Sequence, residues 1–406
     1  MTDRLRLLVL TSTYPRWPDD HEPGFVHALC RRMTDGFDVT VLCPHADGAA
    51  TEEVMDRVRI RRYRYAPACL ESLVNEGGII TNLKRQPWKW LLIPGFLFAQ
   101  AWAAWRLIRR QRPTIVHAHW LVPQGLLIAA LSRIGRHTPP FLVTAHGADL
   151  YALRGWGMTA LKRFVVRRAA AVTVVSQAMR TELGSMGADT GKVDVQPMGV
   201  DLTERFTLNS SVVRSRDEIL FVGRLVEKKG LRYLIEAMPS ILVNHPNAYL
   251  TVAGFGPEEA ALRTQVQALG MDSKVNFIGA VAQAELPALY RRAAVFVAPF
   301  VQAASGDQEG LGLVCIEAAG CGCPVIMSDL ATSRDMFADA TNVLLVPQQD
   351  SSALTLAVQK VLSATDEFNE GAISNRQQLI QRFDWYAVSQ RYMQVLQGLS
   401  VEQKHA

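Results

Sequence analysis

The sequence predicts an α/β protein of two doubly wound, Rossmann-like domains facing a central cleft. Three observations carry this. Apolar, strand-like runs alternate with helix-like segments along most of the 406 residues, the pattern of parallel sheets covered on both faces. The alternation occurs twice, in a chain long enough for two domains of ordinary size. Between the halves, Asp201–Asp217 is polar, holds no long periodic run and is the linker candidate.

In the first half the strands are Leu7–Leu10, Val39–Cys43, Ile115–His117, Phe141–Thr144 and Ala171–Val175, with helices such as Phe25–Met33 and Gly125–Ile134 between them. In the second half they are Glu218–Val222, Tyr249–Ala253, Val275–Ile278, Val295–Ala298 and Val325–Met327. Helices fall at Gly230–Leu242, Pro257–Leu269 and Glu285–Arg292. Residues 1–206 are expected to form the N-terminal domain and 214–382 the C-terminal one. Trp385, Val388, Tyr392 and Val395 recur at helical spacing near the end of the chain, which predicts a last helix there. Doubly wound domains take ligands beyond the carboxyl ends of their strands, so the chemistry is sought in the loops that follow each strand.

Composition is globular, with 49% hydrophobic and 20% charged residues. The net charge of +5 permits attraction to phosphates or anionic lipid. No base-reading motif, aromatic RNA platform or zinc-finger spacing accompanies it, which argues against nucleic acid as a partner. The six cysteines show no framework spacing and read as buried thiols in a reducing cytosol. The apolar run in MTDRLRLLVLTSTYP is too short for a secretion signal and reads as the first buried strand. The expected location is cytoplasmic.

The most informative stretch is Glu309–Ser328, EGLGLVCIEAAGCGCPVIMS. Glu309 and Glu317 are separated by seven mostly small or apolar residues. The stretch reads as loop, short helix and strand, with both carboxylates able to face one side. The turn Gly310-Leu311-Gly312 leads into the helix start at Leu313 and Val314. Backbone amides at such a start favour an anionic phosphate. Two hydrogen-bond acceptors beside an anion site suit a nucleotide-sugar. An ordinary surface helix would need an exposed polar face, and few residues here could form one.

This string resembles the E-x7-E signature of family four of the retaining glycosyltransferases, the group 1 type, which have the two-domain GT-B fold. The resemblance covers nearly the whole chain, with its specific motifs concentrated in residues 220–330. It implies that Glu309 holds hydroxyls of the transferred sugar and Glu317 those of the ribose. In FVGRLVEKKGL, a strand turns at Gly223 and leads to Arg224 and Lys229. Two cations there would stabilise the charge that grows on a departing diphosphate, and the resemblance assigns them that role. Lys228 is then the solvated neighbour. Gly254 and Gly256 in AGFGP permit close backbone approach and look like part of the nucleotide site. Ala280 and Val281 resemble the wall that meets the base through its backbone.

In the first half, the resemblance places His146 of TAHGAD against the donor sugar as a positioning and charge-stabilising group. Asp149 would orient it or touch the acceptor. His117-Ala-His119-Trp120 resembles a stretch bordering the cleft; the two histidines share a side but lack a third ligand, so no metal is expected. Gly24 would sit where the first helix starts, near donor phosphate or acceptor. No base is assigned among Asp19, Asp20 and Glu22. Met198 stands where the family usually has Asn. The resemblance also implies that the last helix, 383–406, crosses back onto the first domain.

Residues 84–112, KRQPWKWLLIPGFLFAQAWAAWRLIRRQR, form a second signal. An apolar stretch with four tryptophans is flanked by Lys and Arg and interrupted by Pro94-Gly95. Such a segment lies in a membrane interface or packs as a core helix. Arg57–Arg64, RVRIRRYR, reads as a strand with one basic face that adds positive charge. Together they suggest an anionic membrane surface as partner, with the protein peripheral on the inner face of the cytoplasmic membrane.

The expected function is a retaining, metal-independent hexosyltransferase. It would move sugar from a nucleoside-diphosphate sugar to a lipid-linked, polysaccharide or glycoconjugate acceptor, with no cofactor beyond the donor. A sugar-nucleotide epimerase and a non-catalytic nucleotide-sugar-binding partner of a polysaccharide assembly are the alternatives.

Overall fold

The computed structural model describes residues 4–18, 20, 24–75, 78–134, 138–337 and 343–405. Its contacts divide the chain into two units: Met1–Val175, Met179–Met198 and Val388–Ala406 form one, Ser176–Ala178 and Gly199–Ala387 the other.

The first unit holds an eight-stranded sheet. Its strands are β1 (Leu5–Leu10), β2 (Phe37–Pro44), β3 (Glu52–Met55), β4 (Val58–Tyr63), β5 (Ile115–His119), β6 (Phe141–Ala145), β7 (Ala171–Val174) and β8 (Val193–Val195). They run in the order β3-β4-β2-β1-β5-β6-β7-β8, and all pairs are parallel except β3 with β4. β1 is central, with Leu7 paired to Val39 on one side and Ile115 on the other. Its residues Leu7–Leu10 are all buried, the uninterrupted apolar run expected of a parallel strand covered on both faces. The order reverses between β1 and β5, so the loops after these two strands flank the switch point.

The second unit holds β9 (Glu218–Val222), β10 (Tyr249–Ala253), β11 (Val275–Gly279), β12 (Val295–Ala298), β13 (Val325–Ser328) and β14 (Val343–Val346). The order is β11-β10-β9-β12-β13-β14, parallel throughout. Here the switch point falls between β9 and β12. The helices Leu231–Asn244 and Ser351–Ser363 pack against each other and bury Leu234, Met238, Leu354 and Val358 in the core.

Asp201–Asp217 contains no regular element, yet it is not a bare tether. Leu202 and Phe206 are buried. The Arg214 guanidinium donates to the carbonyls of Ala293 (2.6 Å) and Gly322 (2.9 Å) within the second unit. From Val388 onward the helix Trp385–His405 belongs to the first unit, where the Tyr392 hydroxyl donates to the Gln196 carbonyl at 3.0 Å. Of the cysteines, Cys69 is exposed and departs from the expected burial; the other five are buried.

The run Arg57–Arg64 does form a strand, β4, but not a free basic face. Arg57 pairs with Asp35, Arg59 with Asp38, Arg61 with Glu52, Arg62 with Glu53 and Arg64 with Glu71. Arg62 is also buried and donates to the carbonyls of Ala50 and Pro15. The carboxylates lie on β2, β3 and the nearby loops, too far along the chain for the local charge pattern to reveal them.

Candidate active site

The loops at the switch point of the second sheet carry most of the candidate residues. After β9 the chain passes Gly223 and an exposed Arg224 into a short helical turn, Glu227–Lys229, that ends at Gly230. After β12 it runs through Pro299 and Phe300 to Glu309 and then into the helix Leu313–Gly320. Gly230 has φ +65°, and a Cβ there would lie 1.8 Å from the Pro299 carbonyl oxygen. Only glycine lets the two loops meet this closely.

That approach brings Lys229 Nζ to 2.7 Å from Glu309 Oε2. Lys229 also lies over the Phe300 ring, 4.5 Å from its centre, so charge and ring fix the ammonium together. Burial acts to raise the Glu309 carboxyl, but Lys229, Lys228 and Arg224 outweigh it and hold it down to about 2. Glu309 is therefore ionised at neutral pH. Lys228 is not solvated as the sequence suggested. It is buried and pairs with Asp307 at 3.2 Å, because the tight turn sends consecutive lysines to different carboxylates of the same facing loop.

Glu317 falls little more than one turn into the helix Leu313–Gly320, and it is buried. The Tyr290 hydroxyl donates to its Oε2 at 3.0 Å, and the Gln283 amide to its Oε1 at 3.1 Å. Burial raises its carboxyl despite these bonds. Two donors leave acceptor capacity on a carboxylate with about four lone-pair sites, enough for a pair of adjacent hydroxyls. Sequence reading missed both Tyr290 and Gln283. The helix Leu286–Arg292 reads as a plain apolar one, and only the fold sets Tyr290 against Glu317.

Gly312 caps this helix in the left-handed region at φ +74°. The amides of half-buried Leu313 and Val314 have no acceptor within the helix, while that of Cys315 donates to the Gly312 carbonyl at 2.9 Å. Gly310 and Leu311 are buried just ahead of them.

The glycines after β10 pack closely on the loop after β9. A Cβ at Gly254 would lie 1.9 Å from the Gly223 carbonyl oxygen, and one at Gly256 2.4 Å from that of Leu225. The close approach they permit is to the loop after β9. Gly254 N–H also donates to the Gly279 carbonyl at 2.7 Å, which sets Ala280 and Val281 beside it at the end of edge strand β11.

In the first unit, His146 follows β6. Its Nε2 lies 2.9 Å from His119 Nδ1, and the two rings stack at 5.1 Å. Phe25 and Trp120 pack on His146 at 5.0 Å each. Burial first, then His117, pushes His146 down to about 3. The ring is neutral, so it acts as a hydrogen-bonding group in its resting state. Asp149 does not reach outward. Its Oδ1 accepts from the amides of His146 and Gly147, both at 3.1 Å, and its Oδ2 from Leu121 N–H at 2.7 Å. It therefore ties the loop after β6 to the one after β5. His117 turns to Thr144 Oγ1 at 2.7 Å. His119 Nε2 is buried without a partner. Trp120 has φ +74°, a strained conformation for so large a residue.

Gly24 sits at the start of the helix Phe25–Met33 with ordinary dihedrals, and a Cβ there would touch only Pro15 Cγ at 4.0 Å. Asp20 accepts from Arg16, while Asp19 and Glu22 lie outside the described residues. Among the described residues, no group of three or more His, Cys, Asp or Glu is arranged to hold a metal ion.

Two Rossmann-like units of this topology define a GT-B glycosyltransferase fold. Sucrose-phosphate synthase from Thermosynechococcus elongatus shares it with TM-score 0.80 at 20% identity, covering 98% of this chain and 100% of that one. Residues 209–379 match the family Glycosyl transferases group 1, and residues 25–204 match Glycosyltransferase Family 4. Glycogen synthase of Mycobacterium tuberculosis is 27% identical over 96% of this chain and 94% of its own length. The GDP-mannose-dependent alpha-(1-6)-phosphatidylinositol monomannoside mannosyltransferase of Mycolicibacterium smegmatis is 28% identical over 68% of this chain and 74% of its own. The chain belongs to the group 1 glycosyltransferases.

Proposed function

We propose that the protein is a retaining, metal-independent glycosyltransferase. It takes a hexosyl group from a nucleoside-diphosphate sugar and passes it to a glycan or lipid-linked acceptor. The observation that carries this is the Lys229–Glu309 pair, 2.7 Å apart at the switch point of the second sheet. An ionised carboxylate and a fixed ammonium lie side by side where such folds bind ligands.

Glu309 accepts hydrogen bonds from hydroxyls of the transferred sugar. Lys229, with Arg224 and the first-turn amides of Leu313–Gly320, takes the diphosphate. As the anomeric bond to the diphosphate oxygen breaks, its electron pair moves onto that oxygen. Cations already in place stabilise this charge without reorganising. The acceptor hydroxyl attacks the anomeric carbon from the face the diphosphate leaves, and its proton passes to the departing diphosphate oxygen, which carries the new electron pair. Glu317, held by Tyr290 and Gln283, accepts from the ribose hydroxyls. His146 bears on the donor sugar as a neutral group. Charge neutralisation by side chains and amides supports metal independence, and the absence of a cofactor role follows from the donor supplying all the chemistry.

The test follows the anomeric proton by NMR during early turnover of a nucleotide-sugar, with and without EDTA. An initial product keeping the donor's configuration at an undiminished rate is expected. Inversion, or loss of turnover in EDTA, contradicts this reading.

A further inference from the structure

We infer that the outer face of the helical segment Pro87–Gln111 docks on an anionic lipid bilayer. The segment comprises the turn Pro87–Leu92 and the helix Ile93–Gln111. Its two faces have different work. Phe96, Gln100, Ala104, Leu107 and Ile108 are buried on the inner side, where Phe96 meets Tyr63 and Tyr65 edge to face. The outer side exposes Trp88, Trp90, Leu91, Phe98, Trp102 and Trp105, with Phe98 72% and Trp90 61% accessible. Phe98, Trp102 and Trp105 fall at spacings of four and three, which sets them in one stripe. Trp102 and Trp105 stack at 5.0 Å. The same helix is core on one side and bare on the other.

Mean hydropathy of 1.4 over a window of this helix would suffice for a membrane span by length and composition. Crossing a bilayer would strip the sheet of Phe96, Leu107 and Ile108, so the segment lies on a surface rather than through it. Tryptophan and phenylalanine on such a face suit the boundary between headgroups and acyl chains.

Charge selects the occupant. Between Glu76 and Asp149 the sequence contains nine Lys or Arg and no acidic residue. Lys84 and Arg85 lie at one end of the aromatic stripe, and Arg106, Arg109 and Arg110 at the other; all five are exposed. None of these five forms an ion pair among the described residues, in contrast with the five paired arginines of Arg57–Arg64. Arg109 lies over the Trp105 ring at 5.0 Å. Unpaired cations flanking an aromatic stripe fit a surface with negative headgroups over an apolar interior. A protein partner would need a complementary acidic face with an apolar centre, which an anionic bilayer supplies without further specification.

The test is co-sedimentation of the full chain with vesicles of phosphatidylcholine alone, or mixed with phosphatidylglycerol. Two variants accompany it: Trp90→Ser with Phe98→Ser and Trp102→Ser, and Arg106→Glu with Arg109→Glu. These side chains are exposed, so melting temperatures should stay close to wild type. The wild type should bind the anionic vesicles at low salt and the neutral ones at least about tenfold less. Each variant should lose about tenfold or more on the anionic vesicles. Failure of the wild type to bind, or binding that both variants retain, overturns the inference. So does a wild-type dimer that ignores vesicles and becomes monomeric in the tryptophan variant, which would make the face a contact between copies. Because no donor or acceptor is present, the result does not depend on the transferase reading.

Discussion

Glu309→Ala should reduce sugar transfer by about a thousandfold while the protein still folds. The carboxylate is ionised, held down to about 2 by its cationic neighbours. It sits 2.7 Å from Lys229, which ties the group proposed to hold the sugar directly to the one proposed to hold the diphosphate. Alanine removes the acceptor proposed for the sugar hydroxyls and frees Lys229 to move off its position. Loss of one partner from a deeply buried pair costs several kcal/mol. Here the side chains are 12% and 17% accessible, and Lys229 keeps its contact with Phe300, so water and the ring limit the loss. Initial rates with a nucleotide-sugar, beside a thermal melt, separate the two effects. Glu309→Gln keeps the shape and one acceptor oxygen but loses the charge, and should recover only part of the rate. Turnover near wild type in Glu309→Ala would remove it from the site.

Gly230→Ala should destabilise the second unit by about 3 kcal/mol or more. Two costs combine. The backbone is left-handed at φ +65°, and the new methyl would lie 1.8 Å from the Pro299 carbonyl oxygen. The clash is with backbone, so no side chain can turn aside. Relief requires the loop after β9 to separate from the loop after β12, which also pulls Lys229 from Glu309. Urea unfolding should show a lower midpoint, and nucleotide binding should weaken in whatever fraction stays folded. An unchanged midpoint would mean that the two loops are not held as described. Gly24→Ala, where the space is open, is the contrasting control.

The sequence revealed those parts of the fold that local pattern controls. Leu7–Leu10 of β1 and Ile219–Val222 of β9 are continuous apolar runs because these are central parallel strands. The short strands β3, β8 and β14 escaped notice. Each has only three or four residues and lies at a sheet edge, where half-exposed residues weaken the apolar signal. Of the candidate site, Glu309, Glu317, Arg224 and Lys229 stand in strings with a recognisable order. Their supports do not. Tyr290 reaches Glu317 across 27 positions, and Asp307 reaches Lys228 across 79. Such pairings depend on which strands become neighbours, and no local spacing encodes that. The same limit hid the five carboxylates that neutralise Arg57–Arg64. It also hid the close packing of Gly254 and Gly256 on the loop after β9.

The proposed reaction requires the second unit to bind a nucleoside diphosphate through Glu317 and the loops at its switch point. The most direct measurement is a thermal-shift panel of UDP, GDP, ADP, dTDP and CMP on wild type and Glu317→Ala. A ligand at a hundred times its dissociation constant adds about 2.7 kcal/mol to the folded state, a readily measured rise in melting temperature. A rise with one nucleoside diphosphate in the wild type, lost in Glu317→Ala, is the expected result. No shift with any nucleotide at millimolar concentration, or an equal shift in the variant, would contradict it.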